Sequence, residues 1–218
     1  MSVNEKYIDK LCELMGVGWD QSVATPMIDY NIEELEQSPK LDEKNRKLYC
    51  SGVGIALYIA PDRLDCQNAI RVLSQHMCGP TEIRMNQLMR LSRYLNGTRT
   101  YKVGISDEGD FGIFTGISDS DLAGDKSTRK SCTCGTFFWG KNLVMSFART
   151  QKPIAMSSAE AEYYGASDVG SELIFFGRIL AFLNNPVKLE LMSDSSAALG
   201  IARRLGVGRI RHLESRSL

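Results

Sequence analysis

The sequence predicts an α/β (α+β) protein in which a mainly helical first part is followed by a mixed sheet with packed helices. Three patterns support this prediction. Apolar residues recur at helical spacing along the first part, a hairpin signal joins two strand runs in the second part, and a long helical stripe follows the hairpin. We therefore predict two domains, residues 1–100 and residues 101–218.

The first part reads as helices separated by chain-breaking residues. A helix is predicted within residues 1–20, and the acidic, polar stretch 22–47 is predicted to be an extended linker. The remaining helices of this part are predicted at 48–60, at 65–77, and from Pro80 to the stop signal Asn96-Gly97.

The second part alternates between strands and helices. Strands are predicted at 102–118, 133–139, 143–147 and 187–192, with Gly140-Lys-Asn142 as the hairpin turn. A helix begins at about Ser195, and a last short strand or helix is predicted near Ile210. The long helix between the hairpin and the last predicted strand carries an inward stripe at steps of four and three: Glu162, Ala166, Val169, Leu173, Phe176, Leu180 and Leu183.

Bulk composition excludes several classes of protein. The net charge is zero, which argues against a strongly basic nucleic-acid-binding protein, and no apolar run is long enough to span a bilayer. The amino-terminal residues do not have the layout of a signal peptide, and six scattered cysteines do not indicate a disulfide framework. We therefore expect no membrane partner and a location in the cytoplasm or the nucleus.

Two aspartates stand where predicted strands end. Asp119 follows one strand run and Asp194 follows another, and side chains at the carboxyl ends of strands commonly bind ligands. Either residue could instead cap a helix, Asp194 in particular. Because both occur in similar motifs, we favour a metal site. Asp121 competes with Asp119 and is interpreted as a loop residue or a supporting group.

A glutamate on the long helix completes this set of acids. Glu162 is predicted to be the only acid on the buried stripe, and a buried carboxylate needs a partner or a metal ion. Glu160 lies off the stripe, three positions after the predicted N-cap Ser157, so it fits a capping box. We assign the chemical role to Glu162 and the structural role to Glu160.

Three motifs in this order resemble the ribonuclease H of copia-type retrotransposon polyproteins. They are Ile117-Ser-Asp-Ser-Asp-Leu-Ala-Gly124, Ser157-Ser-Ala-Glu-Ala-Glu-Tyr163 and Leu191-Met-Ser-Asp-Ser-Ser-Ala-Ala-Leu-Gly200. Val23-Ala-Thr-Pro-Met27 and Arg93-Tyr-Leu-Asn-Gly-Thr98 resemble the end of the reverse transcriptase that precedes it. The resemblance implies a mixed five-stranded sheet in the second part and a thumb or connection segment in the first.

The resemblance also implies a fourth acid. Arg211-His-Leu-Glu214 is similar to a family signature in which the last residue, here Glu214, supports the metal centre. His212 would assist proton transfer or product release, or it is a hydrogen-bonded structural histidine. Because four residues follow Glu214, we expect little chain to steady that acid. The cofactor implied is a pair of Mg²⁺ or Mn²⁺ ions held by Asp119, Glu162, Asp194 and Glu214.

The implied substrate is an RNA–DNA hybrid, and the implied partner is the remainder of the polyprotein. Local clusters of basic residues can follow phosphates, or they can be ordinary solvated surface. The residues considered for nucleic-acid binding are Lys126, Arg129, Lys130, Arg90, Arg93, Arg209 and Arg211.

A polymerase Tyr-x-Asp-Asp motif is absent from the sequence, so we expect no DNA synthesis from this chain alone. The alternative to an active nuclease is a catalytically inactive or repurposed fragment that binds nucleic acid or protein. A nuclease of exonuclease or integrase type on the same fold is a weaker alternative, because the motif beginning at Ser157 argues against it.

Overall fold

The computed structural model describes residues 5–125 and 128–203, which divide into two compact units. The first unit ends at Gly104 and the second begins at Ile105. None of the helices in the described part of the chain has the length and apolar character needed to span a membrane.

Helices α1 to α5 form the first unit. The helices are α1 (Glu5–Met15), α2 (Ile32–Gln37), α3 (Glu43–Ile59), α4 (Gln67–Gln75) and α5 (Glu82–Gly97). One hydrophobic core joins α1, α3, α4 and α5, with side chains such as Ile8, Tyr49, Val53, Leu73 and Leu91 fully or almost fully buried. This apolar burial stabilises the unit.

The prediction of an extended linker at 22–47 is wrong for part of that stretch. Asn31 caps α2, and its side chain and that of Glu34 exchange hydrogen bonds with each other's backbone N–H groups at 2.8 Å. Asp42 caps α3 by accepting from the N–H of Asn45 at 2.7 Å. The acidic and polar residues therefore begin helices, because such side chains satisfy the free N–H groups of a first turn.

A mixed sheet with helices on it forms the second unit. Its strands are β1 (Ile113–Asp121), β2 (Cys132–Trp139), β3 (Asn142–Thr150) and β4 (Lys188–Ser193), and its helices are α6 (Ser158–Phe182) and α7 (Ser196–Ala202). The sheet order is β3-β2-β1-β4, with β1 antiparallel to β2 and parallel to β4. The described residues thus contain four strands and not five, and the element expected near Ile210 lies outside them.

Strand β1 begins eleven positions later than its predicted start at residue 102. The residues before it form turns. Gly109 has φ +108°, a conformation that glycine adopts readily, and the Asp110 carboxylate accepts from the N–H of Gly112 at 2.8 Å. The strand also runs further than predicted and ends at Asp121, so Asp119 lies within it.

Helix α6 packs its apolar stripe against the sheet. Val169 and Leu173 are buried among Phe114, Phe137 and Phe147, which come from β1, β2 and β3. The predicted stripe is wrong at Leu183, which is 63% exposed. The helix ends at Phe182, and Asn184 at φ +59° lies in the turn between the helix and β4.

Candidate metal centre

Two parallel strands bring Asp119 and Asp194 to neighbouring positions. The ladder between β1 and β4 pairs Ile113 with Lys188 and ends where Ser118 pairs with Ser193. Asp119 is the next residue of β1 after this pair, and Asp194 directly follows the last residue of β4. Matched register therefore places both carboxylates at the same edge of the sheet, on a rigid backbone frame.

Asp194 does not cap the helix that follows it. The N-cap of α7 is Ser195, whose hydroxyl accepts from the N–H of Ala198 at 3.1 Å. The N–H of Ser195 in turn donates to the hydroxyl of Ser193 at 3.2 Å. Because a neighbouring serine performs the capping, the Asp194 carboxylate is available for another role.

Helix α6 brings the third carboxylate. Glu162 lies in the second turn of the helix and is 7% exposed. Its Oε1 atom accepts from the backbone N–H of Ser120 on β1 at 3.3 Å. Its Oε2 atom is buried and has no hydrogen-bond partner among the described residues. A buried carboxylate oxygen without a partner is costly, which indicates that this atom serves a ligand.

The three carboxylates form one group. One oxygen each from Asp119, Glu162 and Asp194 lies within 4.8 Å of the others. The two aspartates are exposed and Glu162 is buried, so the group opens to solvent on the aspartate side. Asp121 is not part of it.

The electrostatics of the group favour a bound cation. Burial raises the pKa of Glu162, and the charges of Asp119 and Asp194 raise it further, while the hydrogen bond from Ser120 acts in the opposite direction. Ionised Glu162 therefore destabilises the metal-free fold, and a divalent cation would relieve both the burial and the repulsion. Carboxylate oxygens are the ligands that Mg²⁺ and Mn²⁺ prefer, so the residues present fit such an ion.

Glu160 is also buried, at 3% exposure, although it lies off the predicted stripe. The Glu160 carboxylate accepts from the N–H of Met156 at 2.9 Å, and the N–H of Glu160 donates to the N-cap hydroxyl of Ser157 at 3.2 Å. These hydrogen bonds tie Glu160 to the start of the helix, in line with the structural role assigned to it.

The loop after β1 places two of the basic residues considered for nucleic-acid binding in the same unit as the acids. Arg129 is exposed with φ +59°, and Lys130 is half-buried. Asp125 stabilises the loop because its backbone N–H donates to the carbonyl of Lys130 at 3.1 Å and its side chain accepts from the hydroxyl of Thr128 at 2.7 Å.

Arg90 and Arg93 lie on α5 of the first unit and are half-buried. Arg90 donates to the hydroxyl of Thr25 at 2.8 Å, and Arg93 contacts the sulfur of Met89 at 3.5 Å. These internal contacts weaken the case for phosphate binding by the two arginines. The other residues of the predicted site lie outside the described residues: Lys126, Arg209, Arg211, His212 and Glu214.

Two groups near Glu162 are not predicted from the sequence. One is the backbone N–H of Ser120, which binds the Glu162 carboxylate and leaves no signature in a sequence. The other is Gln151, a buried side chain directly after β3 that donates to the carbonyl of Ala161 at 2.8 Å. The available signal was the row of polar residues at inward positions of the strands, Ser118, Ser120 and Thr133.

The described fold and site define an α/β protein with a three-carboxylate candidate metal centre. Its relatives include the retrovirus-related Pol polyprotein from transposon TNT 1-94 of Nicotiana tabacum, which is 28% identical over 97% of this chain and 16% of the polyprotein. The corresponding polyprotein from transposon RE2 of Arabidopsis thaliana is 32% identical over 74% of the chain and 11% of the polyprotein. The chain thus spans less than a fifth of these polyproteins.

A shorter relative is matched over most of its own length. The secreted RxLR effector protein 161 of Plasmopara viticola is 33% identical over 58% of this chain and 89% of that protein. The chain belongs to one family with it, and the Pol polyproteins of plant transposons are homologues that support a retroelement origin. No protein-family model and no solved structure matches the chain.

Proposed function

We propose that residues 101–218 act as the ribonuclease H domain of a copia-type retrotransposon reverse transcriptase, hydrolysing the RNA strand of RNA–DNA hybrids. In this proposal, residues 1–100 are the thumb or connection segment of the same polyprotein. The observation that carries the proposal is the group formed by Asp119, Glu162 and Asp194, with one buried glutamate oxygen that has no hydrogen-bond partner among the described residues.

The three acids would reach the ions from fixed positions. Asp119 and Asp194 directly follow the last residue pair of the β1–β4 ladder, so the ladder sets their positions before substrate binds. Glu162 approaches from α6 and is held by the N–H of Ser120. When bound, a pair of Mg²⁺ or Mn²⁺ ions supplies an activated water and stabilisation of the leaving 3′-oxygen for in-line displacement at phosphorus. Glu214 is proposed as the fourth ligand and His212 as a group that assists proton transfer.

Recognition of the hybrid would depend on backbone shape. Duplexes that contain RNA are recognised mainly through phosphates and 2′-hydroxyl groups, because side chains cannot read the deep, narrow major groove of an A-form helix. Arg129 and Lys130 extend from the loop that follows β1, the strand that carries Asp119, and are proposed to contact the phosphates.

Substrate selectivity tests this proposal. We expect the full chain with Mg²⁺ or Mn²⁺ to cut 5′-labelled RNA annealed to DNA and to leave 3′-hydroxyl ends. The same RNA should stay intact when it is single-stranded, when it is annealed to RNA, or when a chelator is added. The measurement is gel separation of the labelled products. Absence of cutting by folded protein would favour a non-catalytic binding module, and equal cutting of the RNA duplex would contradict selectivity for hybrids.

A further inference from the structure

Gln151 is a buried polar side chain that joins three elements of the second unit. It follows the last residue of β3 and is 3% exposed. Its side-chain nitrogen lies 2.8 Å from the carbonyl oxygen of Ala161 on α6, 3.0 Å from the hydroxyl of Thr133 on β2 and 3.4 Å from the hydroxyl of Ser120 on β1, so its two N–H groups are shared among three acceptors. One amide group therefore connects the start of the long helix to two strands of the sheet.

The orientation of this amide is determined by its partners. The carbonyl of Ala161 can only accept a hydrogen bond, so the nitrogen of Gln151 must face it. The backbone of Gln151 is also fixed, because its N–H donates to the carbonyl of Ser131 at 2.8 Å and so extends the ladder between β2 and β3 by one residue. The side-chain oxygen of Gln151 is buried without a hydrogen-bond partner among the described residues.

Two partners of Gln151 adjoin Glu162. Ala161 directly precedes Glu162 in the helix, and Ser120, whose hydroxyl contacts the Gln151 amide, donates its backbone N–H to the carboxylate of Glu162. The helix lies very close to the sheet here, since a Cβ atom on Gly165 would come within 2.2 Å of the Ser120 hydroxyl oxygen. Gln151 thus holds the helix turn and the strand between which the Glu162 carboxylate lies.

We propose that Gln151 is a positioning residue for the metal centre, which it supports by holding Glu162 towards Asp119 and Asp194 without contacting the ion. The inference rests on the proposed function, because it assumes that the three acids bind a divalent cation. Groups that orient metal ligands typically contribute a factor of about ten to one hundred in metal affinity.

The test is a calorimetric titration of the full chain with Mn²⁺ alone, combined with urea unfolding of the metal-free protein. We expect Gln151→Met, which keeps the length of the side chain and removes its hydrogen bonds, to weaken Mn²⁺ binding by about tenfold. Gln151→Asn is the second variant, because it keeps the amide and shortens the side chain by one methylene, so the nitrogen no longer reaches the Ala161 carbonyl. It should also weaken binding, and it keeps the test decisive if the methionine variant does not fold.

Thr133→Val is the matched control. It removes one partner of the same amide and leaves the bonds to Ala161 and Ser120 in place, so Mn²⁺ affinity should stay near that of the wild type. Reduced stability with unchanged Mn²⁺ affinity in the Gln151 variants would overturn the inference, as would equal weakening by Thr133→Val. If the wild type itself binds no Mn²⁺, the proposed metal centre is contradicted as well. A wild type that binds Mn²⁺ as tightly as the Gln151 variants contradicts only the role of Gln151, so the two failures are distinguishable.

Discussion

Asp119→Asn should abolish metal-dependent cutting of an RNA–DNA hybrid. Asp119 lies one residue beyond the last pair of the β1–β4 ladder, in the group with Glu162 and Asp194. The amide keeps the shape of the side chain and removes its negative charge, so the cation loses a charged ligand. Metal catalysis contributes several kcal/mol to the transition state, so the rate should fall by at least about a thousandfold. The measurement is the initial rate of cleavage at saturating Mg²⁺.

Asp121→Asn is the control for this substitution. Asp121 lies two residues further along the same strand, and it is exposed and outside the three-carboxylate group. The same chemical change at Asp121 should leave the initial rate of cleavage within the same order of magnitude as that of the wild type. Normal cleavage by Asp119→Asn, or equal loss in both variants, would contradict the assignment of Asp119.

Gly165→Ala should destabilise the second unit and disturb the metal centre. Gly165 lies where α6 approaches β1, and an added Cβ atom would lie 2.2 Å from the hydroxyl oxygen of Ser120 and 3.1 Å from that of Ser118. Overpacking of this kind costs about 1–3 kcal/mol, and the higher helix propensity of alanine offsets about 1 kcal/mol of that cost. Because Ser120 also holds Glu162, the variant should bind Mn²⁺ more weakly. Urea unfolding of the metal-free chain measures the first effect, and Mn²⁺ titration measures the second.

Gly170→Ala provides a matched comparison in the same helix. The atom nearest to a Cβ at this position is a methyl carbon of Leu191, at an ordinary distance of 3.8 Å. Without a clash, the higher helix propensity of alanine should stabilise the protein by about 1 kcal/mol. Opposite signs for the two glycines would support the close packing at Gly165, whereas equal effects would contradict it.

The long helix and the positions of the acids can be predicted from the sequence for a physical reason. Steps of four and three along α6 predict one buried face, and Glu162 lies on that face. Strand runs that end in Asp119 and Asp194 predict two acids at the edge of a sheet. Their closeness depends on the parallel register of β1 with β4, which pairs residues about 75 positions apart and which no local pattern determines.

Other features depend on tertiary contacts that the sequence pattern does not contain. The prediction of a linker at 22–47 is wrong for part of the segment because acids that begin helices resemble acids in a solvated linker. Gln151 and Glu160 are buried because backbone groups of neighbouring elements satisfy them, and a periodicity argument treats polar residues as exposed. The hydrogen bonds around Glu162 and Gln151 therefore depend on how the helix packs on the sheet.

We propose that Asp119, Glu162 and Asp194 hold a divalent cation. Thermal melting of wild type and Glu162→Gln, with and without Mn²⁺, tests this binding most directly. The pKa of Glu162 is raised above 4.5, so its ionisation lowers the stability of the metal-free fold as the pH rises above that value. At neutral pH, metal-free Glu162→Gln should therefore melt higher than the metal-free wild type.

Mn²⁺ should reverse this order. At one hundred times the dissociation constant, a bound ion stabilises the wild type by about 2.7 kcal/mol, which corresponds to a rise of about 5–10 °C for a chain of this length. Glu162→Gln should show little or no rise. An equal response of both proteins to Mn²⁺, or a metal-free variant that melts below the wild type, would contradict the account.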